Sequence, residues 1–209
     1  MMQWLFDRFK TVGNRAVALT IVSGGLIGIY TVLNHALTPR YDLSVALDSA
    51  IPFLPWTLII YMSLYFMGFV GAVLCEGQEF CRLLVAVIAV DMICFGLFVV
   101  FTSHYPRPDI SGLKGTMWHW MFATLYASDD PGNTFPSIHV ALALMAGWRM
   151  RLHKGGKLWV VWGVLVALST LTVKQHYVAD VVAGCAVAMV VYWLVFVSSL
   201  FNRDEPILG

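Results

Sequence analysis

Apolar stretches long enough to cross a bilayer recur along the chain, over about 16–36, 56–74, 83–102, 135–152, 158–173 and 177–201, with short polar interruptions between them. Inside hydrocarbon each backbone N–H and C=O must find its partner within the protein, so apolar segments of about 20 residues fold as helices and cross. Composition agrees: 59% of residues are hydrophobic and 12% charged, against roughly 25% charged in soluble domains. The expected fold is an all-α integral membrane protein, one membrane domain over 1–209 with six transmembrane helices. Residues 1–15 precede the first span and place Met2, Leu5, Phe6, Phe9 and Val12 on one helical face, the pattern of a short amphipathic helix in the interface. No small-residue cleavage site accompanies the first window, which therefore reads as a retained helix rather than a signal peptide.

Basic residues set the expected orientation. With the amino terminus in the cytoplasm, the inner segments hold Arg8, Lys10, Arg15, Arg82, Arg149, Arg151, Lys154, Lys157 and Arg203. The outer ones hold only Arg40, Arg107, Lys114 and Lys174. The excess of inner cations puts both termini in the cytoplasm. A net charge of +1 with no clustered basic patch excludes a nucleic-acid partner. Cys75, Cys81, Cys94 and Cys185 show no C-x-x-C spacing and no neighbouring histidine in sequence, so they read as buried thiols, not as disulfides or a zinc site. Gly24 and Gly28 form a G-x-x-x-G pair suited to close packing inside the bundle. Asp91 is a lone acid within the third span, either facing the bundle interior or serving a proton path.

Polar chemistry gathers at span ends. The outer loop 103–133 contains Arg107-Pro108 and an aromatic piece, Met117 to Phe122, suited to the headgroup level. Thr134 to Val140 contains Ser137 and His139, and Leu171 to Asp180 contains Lys174, His176 and Asp180. In the six-span arrangement all of these reach the outer mouths of spans three to six. His176 and Asp180 are one helical turn apart, so the carboxylate can hold the proton of one imidazole nitrogen and leave the other as a nucleophile. His139 lies at a helix start, a position that favours an anion, and can protonate a leaving oxygen. Arg107 and Lys174 supply fixed positive charge for a phosphate. His35, His104, His119 and His153 read as satisfied polar groups.

The succession Arg107-Pro108, Pro136-Ser137-Ile138-His139 and His176 to Asp180 resembles the type 2 phosphatidic acid phosphatase superfamily, six-helix membrane enzymes that transfer phosphoryl groups through a phosphohistidine without a metal. The resemblance implies His176 as nucleophile, Asp180 as its orienter, His139 as general acid, and Arg107 and Ser137 as phosphate contacts. It implies no cofactor and, as partners, a phosphorylated membrane lipid and the bilayer; the expected location is a bacterial inner membrane with the site facing the periplasm. Two family cations are absent, their positions being Val100 and Thr170. Lys174 stands near enough to substitute, and Lys-Gln-His-Tyr looks closer to the inositol phosphorylceramide and sphingomyelin synthase branch. A phosphodiester carries less charge than a monoester, so headgroup transfer to an alcohol is the alternative to hydrolysis. A non-catalytic lipid-binding protein that kept the fold is a further alternative. His139, His176 and Asp180 also form a possible divalent-metal set, against which stand the cations beside them and the spacing of Asp180 as a partner of His176.

Overall fold

The computed structural model describes residues 2–198, without the side chains of residues 2, 3 and 5. The expectations for Met2 and Leu5 on an amphipathic face, for Arg203, and for the end of the sixth span therefore lie outside what is described. Among the described residues the chain is helical and has no strand, only isolated bridges between Tyr41 and Ser103 and between His104 and Gly132. The helices are α1 (Met2–Arg8), α2 (Val12–Ala36), α3 (Ala46–Ala50), α4 (Leu58–Leu74), α5 (Gly77–Val100), α6 (Met117–Ser128), α7 (Ile138–Met150), α8 (Lys157–Thr172) and α9 (Val178–Tyr192).

Each expected apolar window yields a helix, but they are not alike. Val12–Ala36, Pro55–Leu74, Gly77–Val100 and Val178–Val197 are long and apolar enough to cross a membrane, whereas α7 and α8 are apolar but shorter. The 13 residues of α7 extend only about 20 Å at 1.5 Å per residue. The window 135–152 is longer than its helix because Phe135 and Pro136 lead in, Ser137 caps the start, and Leu152 already lies in the turn to α8. The short helices form the packed centre, with α7 lying against α8, α9, α4 and α5.

Close approach at that centre depends on two glycines. A Cβ on Gly163 would stand 2.6 Å from the carbonyl oxygen of Ala143, and one on Gly147 2.5 Å from that of Trp159, so only hydrogen at these positions lets α7 and α8 touch along their backbones. Gly24 and Gly28 behave otherwise. Nothing lies within 4 Å of a Cβ at either position, so the G-x-x-x-G pair is not the close-packing contact its spacing predicts. Long apolar side chains on α2, among them Val17, Ile21 and Val32, are instead exposed on the outside of the bundle.

Each end of the bundle is tied separately. At the basic end the buried Arg15 donates from Nε to the carbonyl of Ala72 at 2.6 Å and from a terminal nitrogen to the carbonyls of Phe9 and Lys10, clamping the α1–α2 turn onto the end of α4. Arg149 and His153 both reach Glu79. Cys75, whose nearest histidine in sequence is remote, proves to lie 3.7 Å from His153 Nε2, which corrects its reading as a thiol without a histidine neighbour. These three side chains are close enough to share an ion, but Arg149 holds the Glu79 carboxylate that a cation would need, and burial pushes the Cys75 thiol up to about 12.

At the opposite end the polar interruption 38–54 folds back over the site. Leu54 N–H donates to Thr172 O at 2.9 Å, and the Asp48 side chain reaches the start of α9. The aromatic piece forms α6, capped by Thr116. Its Phe122 is fully buried against Leu58, Tyr61 and Val173, while Trp120 is exposed, so this segment roofs the bundle as well as offering an interfacial face.

Replacing Gly163 with Ala should destabilise the folded protein by about 1–3 kcal/mol through overpacking, and Gly28→Ala should leave it unchanged or slightly more stable. Thermal unfolding in detergent checks this: equal melting temperatures for the two variants would contradict the packing described.

Candidate active site

The chain reverses direction between α8 and α9 by a defined helix ending. Lys174 N–H donates to Leu171 O and Gln175 N–H to Thr170 O, the paired bonds of a Schellman ending, whose left-handed position is usually glycine. Here that residue is Lys174, at φ +58°, and its Nζ donates to Asp48 O at 2.8 Å. Two residues later comes His176. Asp180, in the first turn of α9, accepts from Tyr177 N–H at 2.8 Å, while Asp48 accepts from Val178 N–H at 2.8 Å and Val45 N–H at 2.7 Å. The donors exposed at a helix start thus meet carboxylates from inside and outside the helix.

His176 is 8% exposed. Its Nδ1 lies 2.9 Å from Thr134 O and 3.3 Å from Asp180 Oδ2. Both are acceptors, so Nδ1 carries hydrogen, and in the neutral ring the lone pair is therefore on Nε2. Asp180 is fully buried. Its backbone carbonyl also accepts from Ser137 N–H at 3.1 Å, joining the start of α7 to the start of α9. Gly184 permits this approach, because a Cβ there would stand 2.7 Å from Ser137 O.

His139 faces the same space. Its ring centroid is 6.3 Å from that of His176, and it stacks on Tyr61 at 4.1 Å with Tyr65 edge-on. The Tyr61 hydroxyl lies 3.4 Å from Nδ1, while Nε2 is buried without a partner. The two histidines line a cavity of about 690 Å³, within the roughly 300–1,000 Å³ usual for small-ligand sites. Its polar mouth holds Tyr105, Arg107, Asp129, His139, Lys174 and His176; beyond them Leu26, Leu64, Val87 and Leu142 lead toward Leu19 and Leu83 near the basic end. A charged head at the histidines and an apolar tail along the bundle would match this lining.

Fixed charge at the mouth is of both signs. Arg107 donates to Tyr126 O at 3.0 Å and lies 4.4 Å over the Tyr126 ring, which braces the guanidinium. Asp129, at the end of α6, accepts from the Tyr30 hydroxyl at 2.7 Å. Burial raises its carboxyl above the ordinary range, although the Tyr30 hydrogen bond, Arg107 and His176 act the other way. Burial also pushes Tyr105 up to about 12, so it stands there as a neutral phenol.

A family model described as the PAP2 superfamily matches residues 26–194. The chain belongs to the PAP2 superfamily. No curated protein matches it. The match runs from within α2 through α9 and covers the six expected site residues, Arg107, Ser137, His139, Lys174, His176 and Asp180.

Within this PAP2 chain the six expected site residues divide into two sets. Arg107, His139, Lys174 and His176 line the cavity, whereas Asp180 and Ser137 do not. Asp180 lies behind His176, against its Nδ1. Ser137 is fully buried, and its hydroxyl accepts from Val140 N–H at 3.3 Å, capping α7. Neither vacant cation position is filled by a polar contact to the cavity: Val100 is exposed, and Thr170 is buried with its hydroxyl on Ala167 O. Asp91 lines the cavity with one carboxylate oxygen unpartnered. Tyr61, Asp129, Asp48 and Thr134 were not marked by spacing, since each meets its partner across a long stretch of chain.

Because Asp129 is negative above its raised pKa, it should oppose anion binding there and cease to do so as pH falls and it takes up a proton. Inhibition by inorganic phosphate should therefore weaken more steeply with rising pH in the parent than in Asp129→Asn, which still accepts from Tyr30. Parallel pH profiles for the two proteins would contradict this placement of charge.

Proposed function

We propose that this protein hydrolyses a lipid-linked phosphate through a phosphohistidine on His176. The observation that carries the reading is the engagement of His176 Nδ1 by Thr134 O and Asp180, which leaves Nε2 as the available nitrogen in a cavity shared with His139. The Nε2 lone pair attacks phosphorus and a P–N bond forms. As the P–O ester bond breaks, the departing lipid oxygen takes a proton from His139 Nε2, a nitrogen with no partner in the protein. Positive charge on the phosphorylated imidazole is offset by Asp180 through the Nδ1 hydrogen. Water then attacks phosphorus, gives its proton to His139, and the P–N bond breaks to release phosphate and restore His176. Arg107 and Lys174 offset charge on the phosphoryl oxygens, while Ser137 supports the site from behind by capping the start of α7. No step calls for a metal.

In the membrane, this reading has α2, α4, α5, α7, α8 and α9 as six crossing segments, the short α7 and α8 being shielded by their neighbours. The concentration of basic side chains at the end bearing Arg15 and Arg149 supports cytoplasmic termini and a site on the opposite, periplasmic face of a bacterial inner membrane.

A second reading, transfer of a phospho-headgroup from a phosphodiester lipid to an alcohol, is favoured by Asp129 at the mouth and by the absence of cations at Val100 and Thr170. A carboxylate there penalises a dianionic monoester more than a monoanionic diester. The histidine steps are unchanged, with an alcohol replacing water in the second.

A panel of phosphorylated lipids, with released phosphate and lipid products both followed, separates these outcomes: phosphate from a monoester supports hydrolysis, and a new headgroup lipid from a diester supports transfer. His176→Ala should reduce either to background, and His139→Ala should lower it by about 10²–10⁴-fold. A strong chelator should leave activity intact. Full turnover by His176→Ala would overturn both readings.

A further inference from the structure

The loop before His139 contains a buried donor with nothing to bond. Asn133 is 5% exposed, lines the cavity, and its side-chain Nδ2 has no partner. Burying an amide donor unpaired is unfavourable, and an acceptor on a ligand in the cavity would relieve that cost. Asn133 also adopts a left-handed backbone at φ +54°, tolerated by asparagine better than by most residues.

The segment that carries it is held on both sides. On one side Asn34 accepts from Asp130 N–H at 2.7 Å and donates to Asp130 O at 3.2 Å. On the other, Ser103 Oγ lies 2.7 Å from the Thr134 hydroxyl and accepts from Phe135 N–H at 3.0 Å. The next carbonyl along, that of Thr134, holds His176 Nδ1, so Asn133 belongs to the same short segment that orients the nucleophile. A donor carried on a backbone segment fixed before the ligand arrives suits the stabilisation of charge developing in a transition state.

We infer that Asn133 is a catalytic residue whose Nδ2 donates to a non-bridging oxygen of the phosphoryl group during its transfer to and from His176. The inference rests on the proposed phosphohistidine chemistry. It identifies a neutral donor in a site that lacks two of the family's cations, and so favours a transferring group of low net charge. Because the donor is neutral, it strengthens binding of the five-coordinate phosphorus without drawing in free anions as a further cation would.

The test uses the full-length protein in detergent or bilayer discs, with whichever lipid phosphate the parent turns over, and orthovanadate as a probe of the five-coordinate state. Asn133→Gly removes the amide and tolerates the left-handed backbone; Asn133→Asp keeps the size but replaces the donor with a carboxylate. The glycine variant should lose about 10²-fold in kcat with KM little changed, and its vanadate inhibition constant should rise by a similar factor. The aspartate variant should lose more, increasingly so as pH rises and the carboxylate ionises. If the glycine variant melts early, the aspartate variant carries the test. Values of kcat and vanadate inhibition within about threefold of the parent for the folded variants, or a change confined to KM, would overturn the assignment of Asn133. A parent that turns over no phosphorylated lipid and does not bind vanadate would overturn the phosphohistidine reading and this inference with it, an outcome distinct from an active parent with indifferent variants.

Discussion

The site depends on one shared hydrogen. His176 Nδ1 is held between the carbonyl of Thr134, in the lead-in to α7, and the carboxylate of Asp180, in the first turn of α9. Two helix starts are thereby locked to one imidazole, and the bond from Ser137 N–H to Asp180 O repeats the connection through the backbone. Most of the surrounding architecture maintains that junction. Gly184 lets the helices approach, Asp48 caps α9 from outside, and the Schellman ending at Lys174 turns the chain so that His176 faces inward.

Placing so many polar groups at a bundle end is tolerable because nearly all are paired. Asp48 satisfies two backbone donors and its own carbonyl takes the lysine; Arg107 is braced on Tyr126; Asp129 holds Tyr30. The exceptions include two on residues that line the cavity, His139 Nε2 and Asn133 Nδ2. Stability and chemistry divide along this line, since a paired group fixes geometry whereas an unpaired buried one awaits a partner.

Much of this was legible in the sequence, for reasons of range. The His176–Asp180 pair is a one-turn relation on a helix and therefore local, whereas Ser137, expected as a phosphate contact, caps the start of α7. The apolar windows located six helices because hydrophobic length is itself a local property. Contacts formed by folding left no such trace. Asp48 meets Val178 across 130 residues and His139 meets Tyr61 across 78. The Gly24–Gly28 spacing misled because a small-residue motif implies contact only if another helix lies opposite it, and here none comes within reach. Cys75 looked isolated because the turns carrying it and His153 meet only in three dimensions.

The account turns on which atom accepts the phosphoryl group. Rapid alkaline quenching of the purified protein during turnover of a phosphorylated lipid, followed by peptide mass spectrometry, examines that directly. The account predicts an alkali-stable, acid-labile phosphate on His176, attached at Nε2. Phosphate found on His139 instead, or turnover with no phosphorylated histidine detectable, would contradict it.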